Sequence, residues 1–288
     1  MTPEDLRIPE LLRKLNSATK YPSIPTYHAE AGRGRLFDEV RTPFPPGTPV
    51  RLEEKVNGWN ARLILGPGWY LIGSREDVLH ASGDVVFNPE GGVVEKLGAV
   101  ADLISYDRVV DAISLDRPAW PPVITLHMEV YGRAHSVKGW ESYGDGSEAS
   151  YRLFDVAVLD PVHLDWDIER IASWRDQGGQ NFMPSDVVDE VSQATLIPRV
   201  PHLTTIDSSK LPVTVEYMTD MLVWHSTTRV AVNGAPGEAE GVILRTPSRS
   251  VIAKTHLARY RRSLEARAEE ERLQDKAVAK AARRVAAT

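Results

Sequence analysis

From Val50 onward the apolar positions gather into short strand-like runs broken by turns. Residues 50–56, 61–65 and 69–73 read as three successive strands, with Asn57-Gly58 and Gly66-Pro67-Gly68 as the turns between them. Over residues 93–114 the apolar positions Val93, Leu97, Val100, Leu103 and Ile104 recur at three- and four-residue spacing, which predicts one helix. Residues 123–130 and 153–159 are β-rich and predict central strands. Helical periodicity returns over 165–175 and 213–230. Residues 241–245 and 250–254 then form a strand pair split by Thr246-Pro247-Ser248-Arg249. Residues 256–286, rich in Ala, Glu, Arg and Leu, predict a long helix.

Ahead of these elements, Pro22, Pro25, Pro43, Pro45, Pro46 and Pro49 restrict the chain to a short helix near 4–17 and an extended stretch. The expected organisation is a leading segment 1–49 packed on the core, a main domain 50–255, and a terminal helix 256–288. Gly and Ser concentrate over 139–150, the best candidate for a mobile loop.

Composition narrows the class. A chain of 288 residues, 42% hydrophobic and 26% charged, has the make-up of a globular protein with a substantial core. No apolar run reaches the length of a membrane span, and the acidic start Met1-Thr2-Pro3-Glu4-Asp5 lacks signal-peptide character, so a cytoplasmic protein with no membrane partner is expected. Without cysteine there is neither a disulfide framework nor thiolate chemistry. The histidines form no His-Glu-x-x-His pair, and no Gly-rich loop ends in Gly-Lys-Ser/Thr, which argues against a catalytic zinc and a kinase P-loop. The net charge of −6 does not mark a nucleic-acid binder, although from Lys254 on ten Lys/Arg face five Asp/Glu. That basic tail fits either a phosphate-backbone contact or a solvated helix of mixed charge.

Candidate chemistry centres on Glu54-Lys55-Val56-Asn57-Gly58-Trp59-Asn60, where an amine beside a tight turn can be aimed at a phosphate. Alone, this stretch fits a surface turn equally well. Four further segments change the balance: Ser74-Arg75; Leu126-His127-Met128-Glu129-Val130-Tyr131-Gly132; Tyr151-Arg152-Leu153-Phe154-Asp155-Val156; and Glu240-Gly241-Val242-Ile243-Leu244-Arg245 followed by Val251-Ile252-Ala253-Lys254. In this order and spacing, across residues 50–260, they resemble the nucleotidyltransferase motifs of ATP-dependent RNA ligases, in the superfamily that also holds DNA ligases and mRNA capping enzymes.

The resemblance implies an α+β fold: a nucleotidyltransferase (ATP-grasp-like ligase) domain with antiparallel sheets flanked by helices, plus a short C-terminal helical extension. It implies ATP, held as covalent AMP, with Mg2+ or Mn2+, and RNA bearing 5′-phosphate and 3′-hydroxyl ends as partner. Lys55 is the implied nucleophile. A free lysine, with a pKa near ~10.4, must lose its proton to attack, and nearby cations or desolvation favour that loss. Arg75 and Lys254 are the implied cations near it, Arg75 at the sugar and incoming end and Lys254 on the α-phosphate.

Glu54, Asn57, Gly58 and Asn60 are expected to frame the nucleotide, with Gly58 allowing close backbone approach. Glu129 is implied to accept from the ribose hydroxyls; a carboxylate on so apolar a strand needs a partner. Phe154 is implied to stack on adenine, against the alternative of a core phenylalanine. Glu240 is implied as the metal-binding carboxylate; magnesium keeps waters and needs few protein ligands. The chain departs from the family in carrying His256, two positions beyond Lys254, where a second basic residue is usual.

DNA ligases and capping enzymes place an OB-fold barrel after the second motif lysine, and the 34 residues after Lys254 are too few for one. RNA sealing is therefore the leading expectation. The alternatives are a minimal DNA-joining ligase and a self-adenylating nucleotide-binding protein that acts with a partner.

Overall fold

A computed structural model describes residues 1–81, 93–113, 121–134 and 137–285. Helix α1 (Pro9–Ala18) is followed by strands β1 (His28–Ala31), β2 (Arg35–Val40), β3 (Pro49–Lys55), β4 (Trp59–Gly66), β5 (Trp69–Ser74) and β6 (Val78–Ala81). Then come α2 (Val93–Ala101), α3 (Tyr106–Ile113), β7 (Val123–Tyr131), β8 (Ser150–Leu159), α4 (Ile168–Asp176) and β9 (Asn181–Phe182). The chain continues through α5 (Ser185–Thr195), β10 (His202–Asp207), α6 (Val215–Trp224), β11 (Gly241–Arg245), β12 (Ile252–His256) and α7 (Leu257–Val285).

The strands build two main antiparallel sheets. One has six strands in the order β6-β5-β4-β7-β8-β9, and the other has four in the order β10-β3-β11-β12. Strand alternation decides what each face does. In the six-stranded sheet, Ala61, Leu63, Leu126, Met128 and Val156 pack against Leu97, Val109 and Val188 of the helices on one side. The opposite face buries Ile64, Leu71 and Val123 against Leu15 of α1 and Ile171 of α4 at its far end. Burying each such leucine or isoleucine contributes about 1.5–3 kcal/mol. The four-stranded sheet sets Val50, Leu52, Val242 and Leu244 against Met218 and Leu222 of α6 and Leu257 and Tyr260 of α7. Its other face carries Glu53, Lys55, Ile243, Arg245 and Lys254, which turn toward the six-stranded sheet.

The α+β class and the antiparallel sheets agree with the expectation, and several boundaries do not. Asn57-Gly58 is not a hairpin turn: β3 and β4 belong to different sheets, and these residues carry the chain across. Helix 93–114 divides into α2 and α3, because Asp102–Ser105 turn the chain and the Ser105 hydroxyl faces the Arg108 amide as a cap; Ser114 lies outside the described residues. Leu103, read as part of the apolar stripe, is 87% exposed.

The helix expected over 213–230 ends at Trp224. Beyond it, Thr227 pairs with Glu238, and Thr228 and Arg229 are drawn to Glu54. The last strand sits two residues later than expected, since Arg249 adopts φ 65° in the preceding turn. Part of the expected loop 139–150 is a short 3-10 helix, Trp140–Tyr143, whose Tyr143 is fully buried.

The leading segment is more than an extended strand. It contains the β1–β2 pair, and it runs along the edge of β12, where Lys254 donates its backbone N–H to Pro25 and Tyr27 donates to Lys254. At the other terminus, α7 is anchored by Leu257 and Tyr260, and residues 268–283 are exposed.

Candidate active site

A cavity of about 600 Å3 lies between the two sheets, closed on one side by Tyr21, Pro22 and Ile24. All ten expected site residues border it. Lys55 ends β3, and alternation places it on the same face as Glu53. Its ammonium donates to one oxygen of Glu240. The other Glu240 oxygen lies 2.9 Å from His256 Nδ1, and the Glu240 carbonyl accepts from the Leu257 N–H at 3.0 Å. Burial is the largest influence on the Glu240 carboxyl and pushes its pKa up; the bonds from His256 and Lys55 outweigh it and hold the group below its ordinary value.

Glu129 faces this group from β7. It accepts from the Gly58 N–H at 2.9 Å. Burial, helped by the negative charge of Glu240, pushes its pKa up to about 7, against the pull of Lys55. Lys254 stands one residue pair along β12 from His256. Its pKa is lowered by burial and then by Lys55, Arg75 and Arg259, and its ammonium makes no hydrogen bond or ion pair among the described residues. Arg75 is exposed at the rim, donating to Ser23 at 3.0 Å. The side-chain oxygen of Asn60, a residue that borders the cavity, is buried without a hydrogen-bond partner among the described residues.

Phe154 owes its aim to a β-bulge. His127 opposes Asp155 and Met128 opposes Leu153, so Phe154 is the extra residue of β8. Its ring lies over that of His127, centroids 6.1 Å apart and planes at 28°, and meets Tyr21 edge-on at 5.0 Å. His127 is fully buried with both ring nitrogens unpartnered among the described residues, and burial pushes its pKa down to about 3, so the support under Phe154 is a neutral ring.

Three expected residues are engaged elsewhere. Glu54 borders the cavity, yet its carboxylate accepts from the Thr228 hydroxyl and, at 2.8 Å, from the Arg229 N–H, on the opposite face of β3 from Lys55. The Asn57 side chain donates to the Lys138 carbonyl at 2.6 Å. Gly58 is needed for its neighbour in the protein: a Cβ there would lie 2.4 Å from the Val130 carbonyl oxygen of β7.

Among residues given no role in advance, Tyr21, Glu53 and Arg245 line the cavity, and Asp155 lies behind them. Asp155, fully buried, accepts from Arg245 at 3.2 Å, Arg249 at 2.8 Å and Tyr21 at 2.9 Å. Glu53 accepts from Arg199 at 2.9 Å. Charges at strand positions otherwise buried, Glu53, Asp155 and Arg245, were the available signal, since such groups must find partners. Nothing in the sequence marks Tyr21.

The donor set suits a hard divalent cation in company with phosphates: Glu240 and Glu129 supply oxygen, and among the described residues no cluster of three or more His, Cys, Asp or Glu forms a closed metal cage.

Two antiparallel sheets clasping a lysine-bearing groove make the fold of a nucleotidyltransferase-type ligase. A family model described as RNA ligase matches residues 48–260, and the chain belongs to the RNA ligase family. No curated protein sequence matches it. Among solved structures, it is similar to an archaeal ATP-dependent RNA ligase at 14% identity and TM-score 0.50, covering 84% of this chain and 49% of that one. A Naegleria gruberi RNA ligase mutant with ATP and Mn aligns at 12% identity and TM-score 0.46, over 84% of this chain and 63% of that one. The chain thus spans less than two thirds of these structures, and at 14% identity the likeness to the archaeal one concerns the fold alone. No helix among the described residues is long and apolar enough to cross a membrane.

Proposed function

We propose that the chain is an ATP-dependent RNA ligase that works through a lysyl-AMP intermediate on Lys55, transfers AMP to an RNA 5′-phosphate and seals that end to a 3′-hydroxyl. The observation that carries this reading is the meeting of Lys55, Glu240, Glu129 and Lys254 around one cavity. In the first step Lys55 Nζ attacks the α-phosphorus of ATP, the P–N bond forms, and the bond to pyrophosphate breaks. Lys55 must first release Glu240 and a proton. Lys254, a cation without a hydrogen bond or ion pair among the described residues, holds the α-phosphate oxygens. Phe154 offers a ring face to adenine, Glu129 receives the ribose hydroxyls, and the Asn60 oxygen has an acceptor to give the nucleoside. Arg75, at the rim, meets the incoming end.

A divalent cation, Mg2+ or Mn2+, fits beside Glu240 and would offset charge on the leaving pyrophosphate. Attack must be in line with the leaving group, so the fixed carboxylate also sets the approach. Incubation with α-labelled ATP and magnesium tests the reading: label stays on the wild-type chain and is absent from Lys55→Ala. Ligation of 5′-phosphorylated RNA strands, with no comparable joining of DNA, supports the RNA assignment; DNA joining alone, or adenylation without sealing, overturns it.

A further inference from the structure

We infer that His256 is a positioning residue that keeps the Glu240 carboxylate in place while Lys55 reacts; this rests on the reading of Lys55 as nucleophile. Glu240 precedes β11 and is not held by the sheet ladder. Three contacts fix it: Lys55 on one oxygen, His256 Nδ1 on the other at 2.9 Å, and the Leu257 N–H on its carbonyl at 3.0 Å. The first is given up when the amine turns to phosphorus. The other two involve no reacting atom and persist.

His256 reaches Glu240 because Gly241 lies directly opposite it across the β11–β12 pair. Lys254 projects from the same face of β12 and has no hydrogen bond or ion pair among the described residues. The two residues therefore divide the labour: Lys254 serves the anion, and His256, with Nδ1 committed to a carboxylate, serves the protein. A histidine here is then a choice of geometry rather than a weakened cation.

The test uses the full chain with His256→Ala, His256→Asn, His256→Gln and His256→Lys. Asn carries an N–H at the Nδ1 position, while Gln carries one further out. Loss of a hydrogen-bonded partner to a ligating group lowers activity by about 10- to 100-fold. Ala and Gln should lose that much of the rate of lysyl-AMP formation at saturating ATP, with the KM for ATP little changed, and Asn should recover most of it. In the nucleotide-free protein, nitrogen NMR should show a proton on His256 Nδ1 that shifts in Glu240→Gln. Recovery by Lys in place of Asn, a rise in KM for ATP in the Ala variant, full activity in that variant, or a His256 signal indifferent to Glu240→Gln each overturns the inference. Absence of label on the wild type would instead remove the function reading, while the NMR result would still judge the contact.

Discussion

Two charged clusters meet the same cavity, one reaching it through Arg245 and Tyr21, and their central carboxylates differ in how fully they are enclosed. Around Asp155, a carboxylate of 0% side-chain exposure meets Arg245 at 1%, with Arg249 and Tyr21 completing its shell. Around Glu240, the carboxylate is 24% exposed and its lysine 21%, and Lys254 nearby has no hydrogen bond or ion pair among the described residues. The first cluster joins β8 of the six-stranded sheet to β11 and the β11–β12 turn of the other. The second runs along one sheet and opens to solvent. In the first cluster the carboxylate is fully engaged by three donors, although Arg245 Nε is buried without a hydrogen-bond partner among the described residues. A carboxylate so enclosed holds geometry. A half-open cluster can exchange an internal partner for a phosphate or a cation. Chemistry is expected where enclosure is incomplete.

Substitution in the two clusters should separate stability from activity. Asp155→Ala leaves the buried Arg249 without its carboxylate and Arg245 with only the carboxylate of Glu53, at 3.7 Å, and should cost about 3–5 kcal/mol in urea unfolding. Lys55→Ala should stay within about 0.5 kcal/mol of wild type in the same experiment, since a partly exposed cavity lysine contributes little. Similar losses for both would erase the distinction.

Glu240→Ala should lower metal-dependent lysyl-AMP formation by about 100-fold or more, given the several kcal/mol such a cation supplies. A magnesium titration indistinguishable from wild type would contradict its assignment. Phe154→Leu should weaken ATP binding by up to roughly 1–3 kcal/mol, the worth of a base on an aromatic ring, and Phe154→Tyr by less. Equal affinities by calorimetry would make Phe154 a packing residue.

The smallest effect concerns pH. Glu129 has a folded pKa near 7, above its ordinary value. The stability it contributes is therefore fully present below the unfolded carboxyl pKa and is lost as pH rises through about 7. Glu129→Gln should match wild type in melting temperature at low pH and exceed it above pH 7. A constant difference across the range would argue against the shift.

Much of this was legible because it is local. Strands β4, β5, β7 and β8 follow short β-rich runs between turns, and α7 follows composition. The side chains around Lys55 were found because they sit in short motifs. What escaped is set by tertiary contacts. Helix α5, Ser-Asp-Val-Val-Asp-Glu-Val-Ser-Gln-Ala-Thr, has poor intrinsic propensity and forms because Val188 and Val191 complete the core. The crossing at Asn57-Gly58 looks like a hairpin turn until the sheets are known. Tyr21 reaches Asp155 across 134 positions of chain. Glu54 lies beside the nucleophile in sequence and, by strand alternation, on the other side of it in space.

The central claim is that Lys55 takes the nucleotide. Mass mapping of peptides from wild-type protein incubated with ATP and magnesium tests it most directly. AMP should be found on the peptide containing Lys55 and on no other. AMP on Lys254 or elsewhere, or no adduct while ligation proceeds, would contradict the account.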